Sequence, residues 1–335
     1  RLFDEAPEMS IEAITKAAEE KISDPRYRFL FVNFPNVDVV GHIENERAVI
    51  RAVEAVDRST GRLLEAARKA GVSVIITADH GTVEQWLYPD GSIDTGHTRS
   101  PVPFILVDER KKFRLMEGGE LTDVAPTVLK LLGLEKPSAM TGSSLIGEGV
   151  RPVERLLVLI LDGWGINDRR EGNLIARAST PVMDGLLAKY PSTRLKAAGS
   201  AVGLPEGTVG NSEAGHLHIG AGRRIYSDRL KIEMAIADGT FFRNKAFREV
   251  MERCRSRGTA LHLMGIVSFF SSHGSIDHLF ALMDMASREG IQDLFIHAML
   301  GRRGEMPESG ANYVEIIERK AAENTLGKVV SVIGR

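Results

Sequence analysis

A single cysteine, Cys254, stands among 335 residues. Neither an internal disulfide nor a thiolate metal cluster is open to this chain, and a reducing compartment such as the cytoplasm is expected. Aromatic residues are scarce at 6%, and the charges nearly cancel, 43 Lys and Arg against 45 Asp and Glu for a formal net charge of −2. With both signs interspersed there is no basic surface to offer nucleic acid or an anionic membrane, and neither partner is expected. No apolar run approaches the roughly 18 residues that a membrane helix needs. The opening residues lack the charged, apolar and cleavage regions of a signal peptide. An initiator methionine is also missing, the chain beginning Arg1-Leu2-Phe3 as a fragment or a processed product does. What is present is ordinary globular composition, 43% hydrophobic and 26% charged, over a length that predicts two domains rather than one core.

Short apolar runs rich in β-branched residues alternate with longer stretches of 3.6-residue period, the pattern of βαβ units and a largely parallel sheet. Strands are expected at 28–33, 72–77, 102–107 and 156–161, then at 260–265, 293–299 and 328–333. Residues 46–70 read as a crossover helix stopped by Gly71, and 122–133 as a helix opened by Thr122 or Asp123. Two glycines and a proline make 147–152 the clearest linker, and a second junction is expected near 223–230.

Ligands of open α/β sheets gather beyond the carboxyl ends of the strands. There this sequence places Asp38 and His42, Asp79 and His80, and Asp162, with His97 just ahead of the run at 102–107. Any one of them alone is an ordinary loop residue. Together they supply carboxylate and imidazole donors for two divalent cations, a set suited to manganese or zinc. Ser212, in Gly210-Asn211-Ser212-Glu213-Ala214-Gly215-His216, reads as a helix cap or as a nucleophile that neighbouring cations would activate. His262, His278 and His297 lie in or beside apolar elements without carboxylate partners and read as structural.

The segments LILDGWG, GLPEGTVGNSEAGHLHIGAGR, HLMG with SIDHLFAL, VDVVGH, AVEAVD, ITADHG and GHTRSPVPF together resemble those of the cofactor-independent phosphoglycerate mutases of the alkaline-phosphatase superfamily. The resemblance implies an α/β fold, an alkaline-phosphatase-like, mostly parallel sheet flanked by helices with a second, partial α/β transferase-like domain. It implies one cation on Asp38, His42 and His97 and another on Asp79, His80, Asp162 and the nucleophile Ser212. Manganese is the expected metal, with zinc or magnesium as alternatives. Substrate-binding roles carry over to His273, Arg303 and Arg335.

The order of segments differs from the family's, whose LILDGWG strand comes first and whose VDVVGH, ITADHG and GHT segments come last. A circular permutation joined through 147–152 is therefore expected, with a phosphatase-like domain over 1–229 and an incomplete transferase domain over 230–335. The family's SDGGVHSH reads Ser268-Phe269-Phe270-Ser271-Ser272-His273-Gly274-Ser275, and its DGRD reads Gly301-Arg302-Arg303-Gly304. The expected activity is interconversion of 3- and 2-phosphoglycerate, small phosphorylated three-carbon acids, through phosphoserine. The alternatives are a metal-dependent phosphatase and an inactive metal-binding fragment. Either a monomer or a chain completed by a partner that supplies the missing transferase segments is expected.

Overall fold

The structure, a computed structural model, describes residues 3–88, 90–110, 112–268, 274–300 and 309–334, without the side chain of residue 309. The chain divides into two compact units, Arg1–Tyr226 and Ser227–Arg335. Among the described residues no helix is long and apolar enough to cross a membrane.

In chain order the first unit comprises α1 (Ile11–Ser23), β1 (Phe29–Phe34), α2 (Asn36–Gly41), α3 (Glu46–Ala70), β2 (Ser73–Thr77), β3 (Val102–Val107), α4 (Val124–Leu131), β4 (Leu156–Leu161), α5 (Leu174–Arg177), α6 (Pro181–Lys189), β5 (Ser192–Leu195) and α7 (Ser212–Ala221). Its strands lie in the order β1-β4-β2-β3-β5. β1 and β2 both pair parallel with β4, whereas β3 is antiparallel to β2 and to β5, so β3 is reversed in a sheet otherwise of one direction. Every residue of β3 and β4 is buried. That is why these two segments read as unbroken apolar runs, since a strand covered on both faces has no solvent side to alternate with. β5 escapes such a reading because only Leu195 of its four residues is buried.

α3 is the expected crossover helix. Asn45 caps it by accepting from Ala48 N at 3.1 Å, and Gly71, at φ 64°, ends it in the left-handed conformation. Val49, Val53, Val56, Leu63 and Ala67 form its buried stripe, and Arg62 on its outer side pairs with Glu12 and Glu19 of α1. α4 follows a single turn of 3-10 helix, Leu121–Asp123, where Glu120 and Asp123 form a reciprocal capping box. Residues 147–152 then run to β4 without helix or strand.

The second unit comprises α8 (Asp228–Ala237), α9 (Lys245–Arg257), β6 (Leu261–Ile266), α10 (Ile276–Arg288), β7 (Leu294–Leu300), α11 (Ser309–Asn324) and β8 (Lys328–Gly334). Its three strands are all parallel, in the order β6-β7-β8. Leu261, Ile276, Met283, Leu294, Ile296 and Ile317 make its core. His262 Nδ1 lies 3.0 Å from His297 Nε2, and His297 Nδ1 lies 2.7 Å from Ser331 Oγ. These histidines thus find partners in one another and in a serine, which accounts for their place in apolar strands.

Asp57, in the AVEAVD segment of α3, is buried and accepts from Val182 N at 3.1 Å and Met183 N at 2.9 Å. It caps α6 from another element, because Thr180 at the start of α6 makes no side-chain cap of its own. Asp57→Ala should lower the unfolding free energy by ~1–2 kcal/mol, and Asp57→Asn, which keeps one acceptor oxygen, by less. Urea unfolding followed by circular dichroism measures both; an unchanged midpoint in Asp57→Ala would refute the cap.

Candidate metal centre

β1, β2 and β4 share a direction, so their carboxyl ends meet at one edge of the sheet. β4 leads directly into Asp162, and β2 into Ala78, Asp79 and His80. β1 leads through Pro35 into α2, which carries Asp38 in its first turn and places His42 at its C-cap. The reversed β3 begins at that same edge, Phe104 standing opposite Thr77, and the loop ahead of it brings in His97. The turn after β4 is tight, with Asp38 N donating to Asp162 O at 3.1 Å. Gly163 has φ 82°, and a Cβ there would stand 2.7 Å from Asp38 N, so glycine is required for both the turn and the approach.

The six expected ligands come together. His97 Nε2 lies 3.1 Å from Asp38 Oδ1, and His42 Nε2 lies 3.4 Å from that oxygen and 3.1 Å from His97 Nε2. His80 Nε2 is 3.4 Å from Asp162 Oδ1, 3.5 Å from Asp79 Oδ2 and 3.6 Å from Asp38 Oδ1. It therefore stands between the two clusters. Donor atoms within 4.8 Å of one another form one set from Asp38, His80 and His97 and another from Asp79, Asp162 and His216. Sequence reasoning did not single out His216. Its Nδ1 lies 2.9 Å from Ser212 O and 3.1 Å from Asp79 Oδ2. The signal for it was its spacing, one helical turn beyond Ser212 and hence on the same face.

Ser212 is the first residue of α7, and Asn211 takes the capping role, accepting from Ala214 N at 2.8 Å. The capping alternative for Ser212 is corrected accordingly. Its hydroxyl is left to the cluster, donating to Asp162 Oδ1 at 3.2 Å and lying 3.0 Å from His80 Nε2. The residues expected to bind substrate, His273, Arg303 and Arg335, lie outside the described residues.

Burial pushes the Asp38 carboxyl up, but hydrogen bonds from His42 and His97 and the charge of His80 outweigh it and hold Asp38 well below the usual range. Burial also dominates at Asp162 and, with the Asp79 and Asp38 charges, leaves it raised. Burial opposes protonation of His80, yet Asp162, Asp79 and Asp38 together hold its pKa at about 9. His42 is raised chiefly by Asp38, and His216 chiefly by Asp79. The acids thus favour the charged form of these imidazoles, positive charge that a cation could replace. Asp79 Oδ2, fully buried, accepts no hydrogen bond of good geometry, and the Nε2 atoms of His42 and His97 face one another at 3.1 Å. Such a set fits divalent cations of the manganese and zinc kind.

Residues 2–136 match the Metalloenzyme superfamily, and residues 232–335 match the BPG-independent PGAM N-terminus. The 2,3-bisphosphoglycerate-independent phosphoglycerate mutase of Moorella thermoacetica is 47% identical over 180 residues, 54% of this chain and 35% of its own length. That of Lachnoclostridium phytofermentans is 45% identical over 179 residues, 53% of this chain and 35% of its own. A crystal structure of Leishmania mexicana phosphoglycerate mutase at low cobalt concentration is 34% identical, covering 43% of this chain and 29% of its own, with a TM-score of 0.38. The superfamily match falls within the first unit, which also holds both donor sets. Segments of the chain are similar to the 2,3-bisphosphoglycerate-independent phosphoglycerate mutases, and it spans about a third of the length of the curated relatives it matches.

A cation entering this site must displace the proton that the carboxylates hold on His80 up to about pH 9. The sign follows from the raised pKa: the competing proton is bound below that value and lost above it, so affinity for Mn2+ climbs with pH towards 9. The slope should be about tenfold per pH unit for each proton displaced. Calorimetry in buffers of different ionisation enthalpy measures both terms, and equal affinity at pH 6.5 and 8.5 with no proton release would contradict it.

Proposed function

We propose that this chain transfers the phosphoryl group of a phosphoglycerate through phosphoserine at Ser212, interconverting 3- and 2-phosphoglycerate as an isomerase. The observation that carries this reading is the Ser212 hydroxyl, freed from capping by Asn211 and held at 3.0 Å from His80 Nε2 and 3.2 Å from Asp162 Oδ1. On this reading Asp38, His42 and His97 hold one cation, and Asp79, His80, Asp162 and Ser212 hold the other, with manganese as the physiological metal. Bound there, the cations would neutralise the transferring group and favour the serine alkoxide.

The chain's own residues do the remaining work. The amide end of α7 faces the transferred group with the positive end of its dipole. His216 orients Asp79 and spans the turn from the Ser212 carbonyl. His273, Arg303 and Arg335 grip the carboxylate and phosphate of the three-carbon acid so that the glycerate is re-phosphorylated on its neighbouring hydroxyl. The match of a superfamily segment at 2–136 and of a segment described as N-terminal at 232–335 supports the permuted order. We place the protein in the cytoplasm, as a monomer or as a chain completed by a partner that supplies the missing transferase segments.

A second reading, metal-dependent phosphatase, is favoured by the substitutions in the substrate-gripping segments. The family's DGRD has become Gly301-Arg302-Arg303-Gly304, and SDGGVHSH keeps only its first residue and one histidine in register. Each lost charge-assisted contact costs on the order of 1.5–3 kcal/mol. On this second reading, with manganese and 3-phosphoglycerate supplied, the expected balance is phosphate release ahead of 2-phosphoglycerate formation. Measuring both products in one assay decides, and isomerisation well ahead of hydrolysis would refute the expected balance. Ser212→Ala should abolish both products while the circular dichroism spectrum stays unchanged; turnover in that variant would remove the nucleophile assignment.

A further inference from the structure

We propose that Glu84 is a positioning residue, whose buried carboxylate clamps the loops carrying His80 and His97 in the arrangement that presents both to a cation. The proposal rests on the two-metal reading above.

Glu84 lies in the turn Val83–Gln85, four residues after His80, and is completely buried. Its two oxygens take donors from two different loops. Oε2 accepts from Thr82 N at 2.9 Å, within the His80 loop, and Oε1 accepts from the Thr98 hydroxyl, within the His97 loop, in a short hydrogen bond. The bridge is reinforced along the backbone, since Thr98 N donates to Gly81 O at 3.0 Å. Thr98 Oγ1 in turn accepts from Ser100 N at 3.2 Å. The Asp162 loop packs beside it: a Cβ at Gly165, as at Gly81, would collide with the carboxylate, and Asn167 Nδ2 of that loop donates to the Glu84 backbone carbonyl at 3.0 Å.

From Glu84 the constraint runs to the ligands. Thr82, held through its amide, sets its hydroxyl 3.3 Å from Asp38 Oδ1 and 3.4 Å from His80 Nδ1. Thr98 O accepts from Gly210 N at 3.3 Å, and Gly210 O lies 2.9 Å from His97 Nδ1, two residues before Ser212. Among the described residues Glu84 forms no ion pair, only hydrogen bonds to neutral donors. A buried carboxylate without a cation is costly, and a chain that keeps one gains something other than stability from it. Here the gain is geometric: two acceptor oxygens on one rigid group hold together two loops that carry metal-donor side chains.

The test is Mn2+ titration by calorimetry of the full chain after removal of divalent cations, for the wild type and for Glu84→Ala, Glu84→Gln and Thr98→Val, beside thermal unfolding of each metal-free form. Glu84→Ala and Thr98→Val should weaken Mn2+ binding by roughly 10–100-fold, the usual effect of removing a group that orients a ligand. Glu84→Gln, which keeps one acceptor and the volume, should recover most of that loss. A residue that only stabilises the fold would lower the unfolding temperature of the metal-free forms and leave Mn2+ affinity at the wild-type value; that result overturns the proposal. Should Glu84→Ala not fold, Thr98→Val and Glu84→Gln decide in the same way. Failure of the wild type itself to bind any divalent cation would remove the two-metal reading and this inference with it, whereas wild-type binding unchanged in the variants removes this inference alone.

Discussion

Three carboxylates meet around one imidazole nitrogen. Asp38, Asp79 and Asp162 each place an oxygen 3.4–3.6 Å from His80 Nε2, at a sheet edge where Asp79 is fully buried. Like charges so close and so dry cannot persist without positive charge among them. Much of the surrounding chain serves this constraint. His80, His42 and His216 are all held more basic than free histidine by these acids. Asn33 lends an amide to Asp162 Oδ2 at 3.1 Å, and Asp79 Oδ1 accepts from the amides of His80 and Gly163 at 3.0 and 3.2 Å. The chain builds a negative pocket, then half-neutralises it with groups that a cation can displace. Binding sites for divalent metals need that compromise, because a pocket fully satisfied by the protein has no remaining affinity and one left bare does not fold.

The reversed strand β3 makes the pocket possible. A sheet of parallel strands delivers residues to its working edge only from the carboxyl ends, one loop per strand. Reversing β3 beside β2 adds a loop that arrives at the edge rather than leaving it. His97 and Thr98 travel on that loop, and it reaches far enough for Thr98 to tie to Gly81, Glu84 and Gly210. The serine segment then enters under the same loop. Ser212 and the candidate ligands are thus positioned by mutual hydrogen bonding of loops, on a scaffold whose strands fix only where each loop starts.

Most of this was legible in the sequence, for reasons that also explain what was not. β1, β2 and β4 and the acids after them stand out because buried parallel strands are apolar throughout and the residues that follow are abruptly polar. The reversal of β3 left no mark on its own six residues, since a run such as Val-Pro-Phe-Ile-Leu-Val reads alike in either direction. A mark did exist nearby. Parallel neighbours need a crossover, usually a helix, and among the described residues between β2 and β3 the one helical element is the short turn Val83–Gln85. The four residues of β5 were hidden by their polarity, and Asn211 and Ser212 competed for one cap because adjacent polar residues are indistinguishable by pattern. Glu84 had no signal whatever. An acid in a loop is solvated in most proteins, and only three loops folding over this one make it a buried clamp.

These considerations separate what each unit must do on the proposed reading. Nucleophile, donor sets and the clamp all fall within Arg1–Tyr226, so formation of a phosphoserine draws on one continuous stretch of chain. Transfer back to a different hydroxyl is another matter, because it depends on keeping a small acid in place after its covalent link to phosphate is broken. No feature of the metal pocket can do that, since the pocket recognises the phosphoryl group and the glycerate has just lost it. Mutase and phosphatase would then share their first half-reaction, atom for atom, and differ only in whether the departing alcohol is held longer than water takes to enter. That is a contest between residence time and hydration, set by how many charged contacts grip the acid. A chain can keep a complete metal centre and still change its net reaction through substitutions in segments that never touch the metal.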